Sequence, residues 1–132
     1  MVSDKFQVRA TGPINRVHRQ PIKGRKVHGG IRFGEMERDS LLAHGASFLL
    51  NDRLMQCSDF HTTKVCAGCG SLISCLSVGA GSKGSMTGSA SKNYCSKCEH
   101  GKKVVTVPIP YVFVYLVNEL AAMNIRMTLK VN

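Results

Sequence analysis

Four of the six cysteines fall into two short pairs, Cys66-Ala-Gly-Cys69 and Cys95-Ser-Lys-Cys98, separated by 25 residues. A C-x2-C pair closes on one ion when a tight knuckle turns both thiolates the same way, and Gly68 and Gly70 favour such a knuckle in the first pair. Two pairs supply the four tetrahedral corners of one structural zinc ion, so Cys66, Cys69, Cys95 and Cys98 are the predicted ligands of a zinc ribbon at about residues 64–103. A redox C-x2-C would need a strand-to-helix setting and a single pair, and a catalytic zinc would need an open coordination position. The start of the chain, Met1 to Arg9, has no apolar run of the secretory kind, which also argues for metal over disulfides. Cys57 and Cys75 read as buried or incidental thiols, and His61 and His100 stand as runner-up ligands. Between the pairs, Gly79, Gly81, Gly84 and Gly88 with Ser77, Ser82, Ser85, Ser89 and Ser91 predict a flexible excursion that accommodates the long spacing.

Charge is the second chemical signal. The chain has 18 Lys and Arg against 8 Asp and Glu, a net charge of +10. Residues 1–33 hold eight of the bases and one acid, giving +7, whereas 34–65 carry −2, 66–103 carry +4 and 104–132 carry +1. The excess therefore belongs to a basic arm and to a mildly basic cysteine module. Gly12, Pro13, Pro21, Gly24, Gly29, Gly30 and Gly34 break helical and strand periods, so the arm reads as extended loops whose bases can reach phosphates. A solvated basic tail is the plainer reading of the same residues. With no Trp in the chain, charge and not an aromatic platform must carry any nucleic-acid affinity.

The remaining chain must position these groups. At 132 residues and 43% apolar it is too hydrophobic for a disordered tail and long enough for one domain. No run of 18 apolar residues predicts a membrane span, so no membrane partner is expected. From Glu35 to Met55 the apolar positions follow a helical period with acids Glu35, Glu37 and Asp39 at its start, and Gly45 predicts a break into two short helices. His44 beside that break reads as a capping or packing residue. Val104 to Pro108 predicts a short strand, and a helix opens at Pro110 and ends at Asn124. Ile125, Met127, Leu129 and Val131 then alternate with polar residues, the pattern of a half-buried strand. The helix is apolar on most faces and predicts docking on another polypeptide. The expected class is α+β and irregular: a loop-rich basic arm, short helices, a zinc ribbon, and a C-terminal helix and strand.

These residues also carry a resemblance. Thr11-Gly-Pro13, Arg19-Gln-Pro21, Gly29-Gly-Ile-Arg-Phe-Gly-Glu-Met-Glu-Arg-Asp39 and His44-Gly-Ala46 resemble the C-terminal end of the second-largest, beta-like subunit of multisubunit DNA-directed RNA polymerases. The two C-x2-C pairs, Ile109-Pro-Tyr111 and Glu119-Leu-Ala-Ala-Met-Asn124 continue the eukaryotic and archaeal version to its end. Asp39-Ser-Leu-Leu-Ala-His-Gly45, Cys69-Gly-Ser-Leu72 and Pro110-Tyr-Val-Phe113 are most similar to the form found in RNA polymerase I, the enzyme of ribosomal RNA synthesis.

The resemblance implies a division of labour. Residues 1–33 would end a hybrid-binding region of switch-like loops, and 34–132 would form a clamp and anchor region containing the zinc ribbon and a strand-helix-strand end. Arg19, Gln20, Lys23, Arg25, Lys26 and Arg32 would contact the DNA template and the RNA–DNA hybrid. The apolar helix would meet the largest polymerase subunit, other subunits would complete the enzyme, and its location would be the nucleus and nucleolus. Nucleotidyl transfer in this class uses Mg2+ held by carboxylates of the largest subunit. Here Asp39, Asp52 and Asp59 are scattered, so this chain would bind no Mg2+ and would not catalyse alone; its length implies a C-terminal fragment of a larger subunit. A free-standing zinc-ribbon nucleic-acid-binding factor is the alternative that charge and cysteines alone allow, and a non-functional truncated product is a third.

Overall fold

A computed structural model describes residues 1–78 and 92–131. The Gly/Ser-rich excursion expected at 79–91 lies outside the described residues. The chain forms two compact units, residues 1–61 with 110–115, and residues 62–109 with 116–132.

In the first unit, the N-terminal third is built from turns that close on backbone hydrogen bonds. Ile14 and Pro21 form an isolated antiparallel bridge around a loop in which Asn15 N–H donates to Gln20 C=O at 2.8 Å and Arg19 N–H to Asn15 C=O at 2.9 Å. Lys23 and Gly30 form a second bridge around a short 3-10 turn, Arg25–Val27. Arg9 joins these loops, donating from Nη1 to the carbonyls of Pro13 at 2.9 Å and His28 at 2.8 Å.

Helix α1, Glu35–His44, follows. The Glu37 carboxylate accepts the Gly34 N–H at 3.0 Å, and Glu35 and Glu37 put negative charge in the first turn, where the helix dipole favours it. Gly45 then adopts a left-handed conformation, φ 69°, with its N–H on Leu42 C=O and the Ala46 N–H on Leu41 C=O. This paired closure is the glycine-terminated helix stop, so the break falls where the sequence predicts it. Exposed His44 is the last residue of α1. Helix α2, Ser47–Asn51, runs into a π-type turn at Asp52–Gln56.

Strands and turns organise the rest of the chain. Strands β1, Phe60–Cys66, and β4, Val104–Pro110, pair in one two-stranded sheet; β2, Cys75–Val78, and β3, Lys92–Cys95, pair antiparallel in another. Helix α3, Tyr111–Ala122, starts directly after Pro110. Asn124 ends it in the left-handed region, φ 62°, while Ile125 N–H reaches back to Leu120 C=O at 2.9 Å.

The C-terminal strand expected over Ile125 to Val131 is not formed. The alternation survives in part, with Met127, Leu129 and Val131 half-buried and Arg126, Thr128 and Lys130 exposed. A strand also needs a ladder, and the tail instead makes single bonds to a turn: Leu129 N–H to Gly70 C=O at 2.8 Å and Arg126 Nη2 to Cys69 C=O at 3.2 Å.

The buried apolar set among the described residues is small: Val65, Cys66, Cys95 and Val117. Large side chains such as Met36 (83%) and Phe48 (87%) remain in solvent, and within α3 Val112, Tyr115 and Leu116 are about two-fifths exposed. No described helix is long and apolar enough to cross a membrane.

Candidate metal centre and basic loops

Two knuckles of the same design bring the predicted cysteines together. In the first, Gly70 N–H closes on Cys66 C=O at 2.7 Å and Cys66 N–H donates to Ser71 C=O at 3.2 Å, with Gly70 left-handed at φ 67°. In the second, Cys95 N–H donates to His100 C=O at 3.0 Å, and Glu99 occupies the position equivalent to Gly70 at φ 55°. Ala67 N–H bonds Lys103 C=O at 2.8 Å, joining the first knuckle to the segment that follows the second.

The ligand atoms of Cys66, Cys69, Cys95 and Cys98 all lie within 4.8 Å of one another, and the cluster could hold a metal ion. The Cys66–Cys98 and Cys69–Cys95 Sγ separations are both 3.7 Å. A tetrahedron with metal–sulfur bonds of about 2.3 Å has edges of about 3.8 Å, so the donor set fits a tetrahedral thiolate shell. Cys66 and Cys95 are buried while Cys69 and Cys98 are half-exposed. Four cysteine donors on one ion would close a tetrahedral shell and leave no position for substrate.

Ser74 borders the cluster, with its hydroxyl 3.3 Å from Cys95 Sγ and 3.7 Å from Cys69 Sγ. That hydroxyl is the main influence bringing the Cys95 thiol down to about 6, whereas the bond with Cys69, followed by burial, pushes Cys98 up to about 12. Burial pushes the Cys75 thiol up to about 11, so at neutral pH it keeps its proton and donates to Ser71 C=O at 3.5 Å.

The runner-up ligands do not join the four. His61 packs its ring edge-on against Tyr111, with centroids 5.1 Å apart, and His100 supplies its backbone carbonyl to Cys95. The His61 ring is engaged by that contact, and the buried Nδ1 of His100 has no hydrogen-bond partner, but neither ring is among the ligand atoms that gather. Cys57 is exposed and directs its thiol to Asp52 C=O at 3.0 Å.

The residues expected to meet nucleic acid lie on the loops of the first unit. Arg19, Lys23, Arg25, Lys26 and Arg32 are exposed and Gln20 is half-buried. Arg25 and Lys26 share the 3-10 turn, and Arg19 stacks its guanidinium over the Tyr111 ring, 4.4 Å from the centroid. Stacking of this kind uses the flat face and leaves the edge N–H groups available.

Two positioning residues escape a reading of the sequence. Asp59, 4% exposed, accepts Tyr111 N–H on its backbone carbonyl and Val112 N–H on Oδ2, both at 2.9 Å, and so caps α3 from outside the helix. The one signal for it is that α3 has no acid in its own first turn. Arg9, counted only as charge, is the other.

Comparison with known proteins gives a consistent answer along the whole chain. The family described as RNA polymerase Rpb2, domain 7, matches residues 29–132, and RNA polymerase Rpb2, domain 6, matches residues 1–27. DNA-directed RNA polymerase I subunit rpa2 of Dictyostelium discoideum is 58% identical over 132 residues, covering 100% of this chain and 11% of that protein. DNA-directed RNA polymerase I subunit RPA2 of Homo sapiens is 57% identical over 99% of this chain and 12% of its own length. DNA-directed RNA polymerase I subunit 2 of Arabidopsis thaliana is 54% identical over 100% of this chain and 12% of its own length. The chain thus spans about an eighth or less of the relatives it matches.

Proposed function

The chain belongs to the Rpb2 family of RNA polymerase subunits, and from that premise we propose that it does the work of the C-terminal part of the second-largest subunit of RNA polymerase I. The observation that carries this reading is identity of 54–58% to polymerase I subunits across nearly every residue. The enzyme so completed performs DNA-templated ribosomal RNA synthesis in the nucleus, within the nucleolus.

In this reading residues 1–33 end the hybrid-binding region and 34–132 serve as clamp and anchor. Arg19, Lys23, Arg25, Lys26 and Arg32, with Gln20, grip phosphates of the DNA template and the RNA–DNA hybrid. The exposure of the five bases supports the assignment. Contacts to the phosphate backbone suit an enzyme that must hold every sequence equally.

Cys66, Cys69, Cys95 and Cys98 hold one structural zinc ion, and their spacing supports it. Bound there, the metal supplies a closed thiolate shell that ties the two knuckles of a zinc ribbon together. That matters in a unit whose buried apolar side chains are few. Uncovered apolar side chains on α1, α2 and α3 favour burial against the largest subunit and its neighbours. Catalytic Mg2+ belongs to the assembled enzyme and not to this chain.

A chimera tests the proposal. When this chain replaces the matching C-terminal segment of the Dictyostelium subunit, pre-ribosomal RNA synthesis is expected to continue. A chimera that is expressed and stable but supports none would overturn it.

A further inference from the structure

A fifth thiol stands against the metal cluster, placed there by the β2–β3 ladder. Cys75 and Cys95 are directly paired in the antiparallel register. Ser96 N–H donates to Ser74 C=O at 2.9 Å, the bond pattern that brackets a non-hydrogen-bonded pair. In such pairs facing Cα atoms stand about 4.5 Å apart and their side chains approach most closely. A disulfide accepts Cα separations of about 4.4–6.8 Å. Both side chains project from the same face of the ladder because they are direct partners, and Cys75 Sγ bonds Ser71 C=O, the same carbonyl that receives the Cys66 N–H.

We infer that Cys75 and Cys95 form an oxidative modification site, at which a small peroxide converts the pair to a disulfide and removes one ligand from the metal. The metal-release step rests on the metal-centre reading above; the disulfide itself rests on the ladder. The Cys95 thiolate attacks one peroxide oxygen, the O–O bond breaks, hydroxide leaves and a sulfenic acid forms. The Cys75 sulfur then attacks the Cys95 sulfur, the S–O bond breaks, and the Cys75 proton departs with the hydroxyl group as water. Two sulfurs are oxidised by one electron each, and one peroxide is reduced to hydroxide and water. Buried Cys95 and half-buried Cys75 restrict the oxidant to something of this size. The ligand pairs at 3.7 Å join residues of two separate turns, whereas Cys75 is held opposite Cys95 by strand pairing. Once Cys95 is locked in the disulfide, the four-thiolate shell cannot close again until a dithiol reduces it.

The test uses the protein purified in the complex it assembles into, with metal content measured before treatment. Hydrogen peroxide is added, released metal is followed with a chromogenic chelator, and the denatured protein is alkylated, digested without reduction and examined by mass spectrometry. The expected result is a peptide linking Cys75 to Cys95 that accumulates as metal is released, reverses with dithiothreitol, and is lost in Cys75→Ser, a variant that keeps its initial metal. Disulfides confined to Cys66, Cys69, Cys95 and Cys98, with Cys75 recovered as an alkylated thiol, would overturn the inference. Protein without metal at the outset contradicts the metal-centre reading, and the presence or absence of the Cys75–Cys95 peptide still decides the disulfide.

Discussion

Cys66 Sγ and Cys98 Sγ lie 3.7 Å apart although they are 32 positions apart in the chain. Cys69 Sγ and Cys95 Sγ repeat that spacing, so each thiol of one knuckle faces a thiol of the other. With Val65, Cys66, Cys95 and Val117 as the buried apolar set, half of that set consists of cysteines of the cluster itself. Hydrophobic burial on this scale stabilises little, and a metal bound to four thiolates contributes folding free energy directly.

Metal removal is therefore expected to melt the second unit. A strong chelator should lower the thermal midpoint and abolish strand signal from that unit, as should Cys98→Ser. The metal competes with protons for the thiolates, so its contribution is present at neutral and alkaline pH and is lost as pH falls. Circular-dichroism melts at several pH values, with and without chelator, check both; identical melts would contradict a metal-held fold.

At the left-handed position of the two knuckles one has Gly70 and the other Glu99, and the difference predicts opposite effects. Gly70→Ala places a Cβ 2.6 Å from Leu129 C=O in a left-handed backbone, which should destabilise by about 2 kcal/mol or more. Glu99→Gly relieves the left-handed cost at φ 55° and should stabilise by about 0.5–1 kcal/mol after the entropy of the unfolded chain is counted. Thermal melts of the metal-loaded variants measure both.

Asp59 is expected to matter through α3. Asp59→Ala leaves Val112 N–H without its carboxylate and should cost about 1–2 kcal/mol, the range for loss of a helix cap. Asp59→Asn keeps an acceptor and should cost less. Urea denaturation ranks the two; equal losses would assign the effect to charge and not to capping.

What the sequence makes legible here is local. The C-x2-C pairs, the α1 stop at Gly45 and the α3 stop at Asn124 each depend on residues within a turn of one another, so pattern alone locates them. The failures are non-local. Ile125 to Val131 alternates like a strand, but whether a ladder forms depends on a neighbouring strand, and the tail meets the Gly70 turn instead. The Asp59 cap reaches across 53 residues, and the Arg19 stack on Tyr111 joins residues still farther apart in the chain.

The basic loops carry a salt-dependent prediction. Lys23→Glu with Arg25→Glu should weaken binding of the assembled enzyme to nucleic-acid scaffolds of every sequence. Each phosphate that thereby goes unneutralised should flatten the dependence of log K on log salt by about one unit. Filter-binding titrations over a range of salt concentrations read this out. An unchanged slope would remove these residues from the interface.

The most direct measurement of the polymerase assignment is affinity purification of a tagged copy of this chain at its natural locus, followed by mass spectrometry of what accompanies it. Recovery of the largest subunit of RNA polymerase I in stoichiometric amount is the predicted result. Recovery of nucleic acid with no polymerase subunit, as a free-standing zinc-ribbon factor would give, would contradict it.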